Sequence, residues 1–311
     1  MPMHPQAQAV LDVMSELGLV VDASTDPVAI RQAIEAFAIA GRAAAEPVAR
    51  VEDRTVPGPA GEIPVRVYRP ADEPALPLLL WFHGGGWTIG SLETHDNTCR
   101  SLANAVGCTV VSVDYRLAPE HKFPAAVDDA FAATQWVAEH AHELGGDPKR
   151  IAVGGDSAGG NLAAVVSLLA RDAGGPELVF ELLVYPVCDH EFESPSMQEN
   201  STGYFLELES MRWFYNQYLG DERDGADWRF SPVRAGDLAG LPPAFVLTAE
   251  FDPLRDQGEA YARKLEAAGV PVELRRYDGV FHGFFGMRDL MDPAREAFDD
   301  VTKALRRALA T

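Results

Sequence analysis

Beyond about Val51 the chain alternates between two textures of hydrophobic patterning. ALPLLLWF (75–82), CTVVSVDY (108–115) and RIAVGG (150–155) are apolar at nearly every position. Such runs predict strands buried on both faces, because a half-exposed strand would alternate. EIPVRVYRP (62–70) does alternate and predicts a strand with one solvated face. FELLVYP (180–186), PAFVLTAE (243–250) and PVELRRY (271–277) add three more strands. Between them lie segments with helical period: PAAVDDAFAATQWVAEHAHELG (124–145), GNLAAVVSLLARD (160–172), QGEAYARKLEAAG (257–269) and PAREAFDDVTKALRRALA (293–310). The 160–172 segment is apolar almost all round, so it is expected deep inside. Strands alternating with helices predict βαβ units and a mostly parallel sheet flanked by helices, an α/β fold.

Two stretches break this rhythm. Residues 1 to about 45 read as two helices, QAVLDVMSELG (8–18) and PVAIRQAIEAFAIAGRAAA (27–45), the second opened by Asp26 and Pro27. Residues from about 190 to 225 read as an insertion, with GYFLELESMRWFYNQYL (203–219) rich in aromatics at helical spacing. No repeat or low-complexity segment divides the 311 residues, so a single domain over 1–311 is expected.

Composition narrows the partners. The chain is 47% hydrophobic and 23% charged, an ordinary globular balance. With 47 acidic against 26 basic residues the net charge is −21. That argues against nucleic acid and against anionic membrane surfaces, both of which need Lys and Arg. No run reaches the roughly 18 apolar residues of a membrane span. The N-terminus shows no basic region followed by an apolar core, so no signal peptide is expected. Cys99, Cys108 and Cys188 lack paired spacing. Neither a disulfide framework nor a metal site is expected, and the reading is a cytoplasmic protein.

The chemistry concentrates at strand ends. GGDSAGG (154–160) joins a buried strand to a buried helix, and Gly155, Ser157 and Gly159 spell G-x-S-x-G. A turn of this kind holds the serine hydroxyl out at the tip, while glycines two residues away avoid collisions. HGGGW (83–87) follows another buried strand, and its bare N–H groups suit an oxygen that gains negative charge. One further donor comes from the residue after the serine, Ala158. A serine needs a base, and the base an acid to orient it. His282, in DGVFHGFF, is the histidine placed after the serine at a suitable position; His190 begins the insertion. Asp252 and Asp189 both follow strands, and Asp252 is the favoured acid. Asp256 and Glu250 are read as loop supports, Asp278 as a cap of the turn before His282. Asp156, Arg116 and Glu120 are read as braces. Trp87, Phe214 and Tyr215 are candidates for the substrate pocket, with cap packing as the competing reading.

HGGGW, DYRLAPEHKFPAA (114–126), GDSAGG, EFDPLRD (250–256) and FHGF (281–284) together resemble the bacterial hormone-sensitive-lipase-type esterases, over about residues 45 to 290. The resemblance implies an α/β-hydrolase fold with a helical cap built from about 1–45 and about 190–225. It implies Ser157 as nucleophile, Asp252 as acid and His282 as base. It places oxyanion donors on Gly85, Gly86 and Ala158, with Gly84 shaping the loop. The implied activity is hydrolysis of short- or medium-chain carboxylic esters by a monomer or homodimer, without a cofactor. Trp87 and Lys122 depart slightly from the pattern. An amidase or peptidase would use the same residues, and the sequence leaves that alternative open.

Overall fold

The structure, a computed structural model, describes residues 2–16, 21, 24–41 and 45–310. Among these residues eight strands form one sheet: β1 (Arg50–Gly58), β2 (Gly61–Arg69), β3 (Leu76–Phe82), β4 (Thr109–Val113), β5 (Gly146–Asp156), β6 (Phe180–Val184), β7 (Ala244–Phe251) and β8 (Val272–Phe281). Their spatial order is β1-β2-β4-β3-β5-β6-β7-β8. The β1–β2 hairpin and its junction with β4 are antiparallel, and every later pairing is parallel.

The helices are α1 (Pro5–Glu16), α2 (Pro27–Gly41), α3 (Asp96–Val106), α4 (Ala125–Glu139), α5 (Ala158–Ala173), α6 (Pro195–Glu199), α7 (Leu208–Tyr218), α8 (Arg255–Ala267) and α9 (Asp292–Leu309). Alternate strand residues feed two cores. Leu78, Leu80, Phe82, Val111 and Val153 face one core with Val127 of α4, Leu162 of α5 and Leu265 of α8. Leu79, Trp81, Val110 and Ala152 face the other with Leu102 of α3 and Val301 and Leu305 of α9. Both sheet faces are therefore dry, which explains the uninterrupted apolar runs.

Three boundaries differ from the sequence reading. Helix α3 was not anticipated; Cys99, Leu102 and Ala103 form its short buried stripe. The last strand runs on through Phe281, past a register shift against β7, so His282 sits directly at a strand end. Asp278 consequently lies exposed within β8 and caps no turn. The 124–145 helix stops at Glu139, and a 3₁₀ turn follows until Gly145 closes it with φ of 69°.

Described parts of the N-terminal segment and of the 190–226 stretch contact each other and the sheet. The N–H of His4 donates to Gly279 O at 2.8 Å, which ties the start of α1 to β8. The Ser210 hydroxyl donates to Val21 O at 2.6 Å, and Trp213 Nε1 to Thr25 O at 3.2 Å, joining α7 to the N-terminal segment. Lys122 Nζ donates to the carbonyls of Asn216, Gln217 and Leu219, closing the C-terminal end of α7 with a positive charge. Residues 17–20 and 22–23 of the linker between the two N-terminal helices, and 42–44 near the end of the second predicted helix, lie outside the described residues. Among the described residues no helix is long and apolar enough to cross a membrane.

Candidate active site

Strand β5 delivers Ser157 at its carboxyl end, where open α/β sheets bind ligands. The serine has φ of 56° and ψ of −117°, a conformation that costs a non-glycine residue about 1–3 kcal/mol. Neighbours on both sides hold it there: Ser157 N–H donates to Val184 O at 2.8 Å, and Ser157 O accepts from Asn161 N–H at 3.0 Å. The flanking glycines are sterically required. A Cβ on Gly159 would run into the carbonyl of Phe82, and one on Gly155 into the backbone of Gly159.

Strands β7 and β8 bring the other two candidates to the same edge. Ser157 Oγ lies 3.0 Å from His282 Nε2, and His282 Nδ1 lies 2.8 Å from Asp252 Oδ2. Asp252 is fully buried, and its second oxygen accepts the Leu254 N–H at 2.8 Å. The acid is thus fixed at both oxygens and the imidazole is oriented between acid and hydroxyl, the geometry a general base requires. The ring of Tyr185 packs on His282 with centroids 4.5 Å apart. Asp189, the other candidate acid, faces away: it pairs with Arg234 at 2.5 Å.

The glycine loop stands opposite. Gly85 and Gly86 have φ of 116° and 55°. Side chains on either would collide, with the Ile89 carbonyl and with the Phe214 ring respectively. Among the described residues no acceptor pairs with the N–H groups of Gly85, Gly86 or Ala158, so all three are available as donors. Gly84 is different: its N–H is occupied by Asp156 Oδ1 at 3.0 Å. Its carbonyl lies 2.8 Å from His83 Nδ1. Burial first, then the nearby His95, push the His83 pKa down to about 3, so the ring is neutral.

The remaining predicted residues sort by contact. Asp256 accepts the Ser196 N–H at 2.8 Å and Glu250 the Gly279 N–H at 2.7 Å, both supporting loops. Arg116 forks onto Asp129. Glu120 receives Arg31 of α2, whose guanidinium also donates to Thr88 O at 2.6 Å and Ala118 O at 2.5 Å. Phe214 touches the glycine loop. Trp87 and Tyr215 instead sit in a packed aromatic cluster with Tyr218 and Phe230, Trp87 stacked on Tyr218 at 4.4 Å. A cavity of about 380 Å³ is lined by Ile34, Phe37, His95, Asp156, Tyr185, Gly283 and Phe285 among others, so it takes in the neighbours of the serine and the histidine. Sequence reasoning missed Arg31, His95 and Tyr185. The first two reach the site only through long-range contacts. Tyr185 carries a local signal, since it lies at the carboxyl end of the strand predicted over 180–186.

A strained serine on a strand-to-helix turn, a histidine and carboxylate from the next strand ends, and a facing glycine loop define an α/β hydrolase. The profile described as alpha/beta hydrolase fold matches residues 79–286, and the chain belongs to that family, in its hormone-sensitive-lipase-type branch. The chain is 49% identical over 266 residues to the carboxylic ester hydrolase LipN of Mycobacterium tuberculosis, covering 84% of this chain and 71% of LipN. It is 45% identical over 253 residues to the ethyl acetate hydrolase of Pseudomonas putida, covering 79% of each. Among solved structures, the hyperthermophilic esterase from the archaeon Pyrobaculum calidifontis superposes with a TM-score of 0.94 at 44% identity, over 99% of both chains.

Proposed function

We propose that the protein is a serine carboxylesterase acting on short- to medium-chain esters, with Ser157 as nucleophile, His282 as base and Asp252 as orienting acid. The observation that carries this is the unbroken relay from Ser157 Oγ through His282 to buried Asp252, at 3.0 and 2.8 Å. His282 Nε2 takes the serine proton as Oγ bonds to the ester carbonyl carbon. The carbonyl oxygen gains the charge and accepts from the Gly85, Gly86 and Ala158 N–H groups. The C–O bond to the alcohol then breaks, and His282 returns the proton to the leaving oxygen. Water repeats the sequence on the acyl-enzyme, with His282 again as base. Asp252 stays ionised and stabilises the imidazolium.

We further propose that the helices of about 1–45 and the segment of about 190–225 form a cap over this site. Support comes from the contacts of Arg31 with Thr88 and of Phe214 with Gly86. A cytoplasmic monomer or homodimer fits the three buried, unpaired cysteines and the position of β8 at the sheet edge. The ester reading draws on the names of the relatives.

The test is covalent. Wild type treated with a fluorophosphonate is expected to gain one adduct, localised by mass to Ser157, and to hydrolyse p-nitrophenyl butyrate. Ser157→Ala is expected to do neither. A folded wild type that takes no adduct would falsify the reading, and preferential cleavage of a matched anilide would move it to an amidase.

A further inference from the structure

His95 lies outside every motif discussed above, at the start of α3, yet its ring reaches the oxyanion loop. Its Nε2 is 3.1 Å from Asp156 Oδ1. Its Nδ1 is 2.8 Å from the hydroxyl of Thr94. That hydroxyl is itself anchored to Ser91, whose N–H it receives at 2.9 Å. The imidazole is held at both nitrogens and leaves 17% of its side chain exposed, toward the cavity.

Asp156 is the residue before the nucleophile, and its Oδ1 also takes the Gly84 N–H at 3.0 Å. This one carboxylate links the two loops that carry the oxyanion donors. Ala158 lies two residues after it on the serine turn. Gly85 and Gly86 follow directly after its partner Gly84. The contact is close enough that no side chain fits on Gly84, because a Cβ would strike the Asp156 carboxylate. The far end of the same loop segment is set by His83 on Gly84 O. In a planar trans peptide, fixing that carbonyl aims the Gly85 N–H in the opposite direction.

A buried carboxyl tends to take up a proton, and a protonated Asp156 would present a hydroxyl to the Gly84 N–H. Burial does push this group upward, but His95 and the Gly84 N–H outweigh it and hold the carboxyl below the usual range. His95 therefore keeps the linking carboxylate charged and limits its rotation.

We propose that His95 is a positioning residue for ester hydrolysis: by clamping Asp156 it sets the spacing between the Ala158 N–H and the Gly85 and Gly86 N–H groups that receive the oxyanion. The proposal rests on the serine-esterase reading above. A misplaced donor weakens the transition state and leaves ground-state binding almost untouched, so the effect falls on kcat.

The experiment measures full-length wild type, His95→Ala, His95→Gln and Ser157→Ala, with p-nitrophenyl butyrate turnover, the rate of fluorophosphonate inactivation and the thermal midpoint. His95→Ala is expected to lower kcat by about 10- to 100-fold with KM changed by less than about 2-fold. Inactivation is expected to slow by the same factor at an unchanged midpoint. His95→Gln, whose amide N–H can still donate to Asp156, is expected to recover most of the loss. His95→Leu replaces His95→Ala if the latter does not fold, with the same expected loss. Unchanged kcat and inactivation in a wild type that is itself active would overturn this proposal alone. So would a rise in KM without a fall in kcat, or a Gln variant as slow as Ala. A wild type that neither turns over nor takes the probe overturns the esterase reading, and this proposal with it.

Discussion

The floor of the site and the segments laid over it are held by different physics. The floor consists of strand ends whose positions follow from the register of a dry parallel sheet. Its turns tolerate no added atom: Gly84, Gly155 and Gly159 each abut backbone or a fixed carboxylate. The covering segments are fastened by side chains: the buried aromatics of α7, and hydrogen bonds from Arg31, Ser210, Trp213 and Lys122 to backbone carbonyls. The comparison teaches that the reacting groups are placed by main-chain geometry and the covering by replaceable side-chain contacts. Changes below should switch chemistry or folding off, and changes above should retune it.

The sharpest break lies within the relay. Ser157→Ala or His282→Ala is expected to lower kcat by up to about 10⁶ without lowering the thermal midpoint. Asp252→Asn is expected to lose about 10⁴. Asp189→Asn, which removes only a pairing with Arg234, is expected to leave kcat unchanged. Stopped assays on the four purified variants read these effects, and a dead Asp189→Asn would reassign the acid.

Next in size comes the turn itself. Gly159→Ala pushes a methyl group against the Phe82 carbonyl, where neither element can retreat without disturbing the sheet. A loss of about 4 kcal/mol or more in urea unfolding is expected, among the largest single-residue effects. A near-neutral result would show that the floor yields more than its contacts suggest.

The covering predicts a smaller effect. Arg31→Ala removes donors to Thr88 O, Ala118 O and Glu120, which beside water can be solvated. A fall of about 10-fold in kcat/KM is expected, or ~1.4 kcal/mol. Arg31→Lys is expected to rescue little, since a compact ammonium cannot reproduce the planar, spread donors that meet Thr88, Ala118 and Glu120.

The last effect falls on stability and leaves the reacting groups untouched; it comes from the sheet interior. Glu181 of β6 is fully buried, and both its carboxyl oxygens lack a hydrogen-bond partner among the described residues. Burial raises its pKa from an ordinary 4.5 to about 8, only partly offset by the nearby Ser167 hydroxyl. The folded protein then holds a proton that the unfolded chain releases, so stability falls as pH rises from about 5 to about 8 and flattens above. Glu181→Gln keeps the shape without the titration. Its stability advantage over wild type is expected to grow across that window, by about 1.4 kcal/mol per pH unit at most. Parallel unfolding slopes for the two proteins would exclude it.

Legibility in the sequence followed the same division. The elbow and the glycine loop could be read because each steric demand is local: a buried strand, a turn and glycines at fixed offsets. His282 and Asp252 were nominated by their places just past predicted strands and after the serine, a rule that Asp189 meets equally well. Helix α3 escaped because its stripe is short and is built on Cys99 and Ala103. The aromatics of 203–219 could not be sorted, because spacing says which side chains share a helix face and not what that face meets. Phe214 meets the glycine loop, while Tyr215 meets Phe230 and Trp87. Arg31 and His95 act across 57 and 61 residues of chain, a separation at which no local pattern carries information.

The lysine at position 122 gathers three carbonyls at one helix end. Its role depends on formal charge as well as length. Acylating that amine would strip the cation from the negative pole of α7 while leaving every reacting atom intact. The helix that sets Phe214 against the glycine loop would loosen before the chemistry failed, so reagents that modify amines should shift substrate preference sooner than they silence turnover.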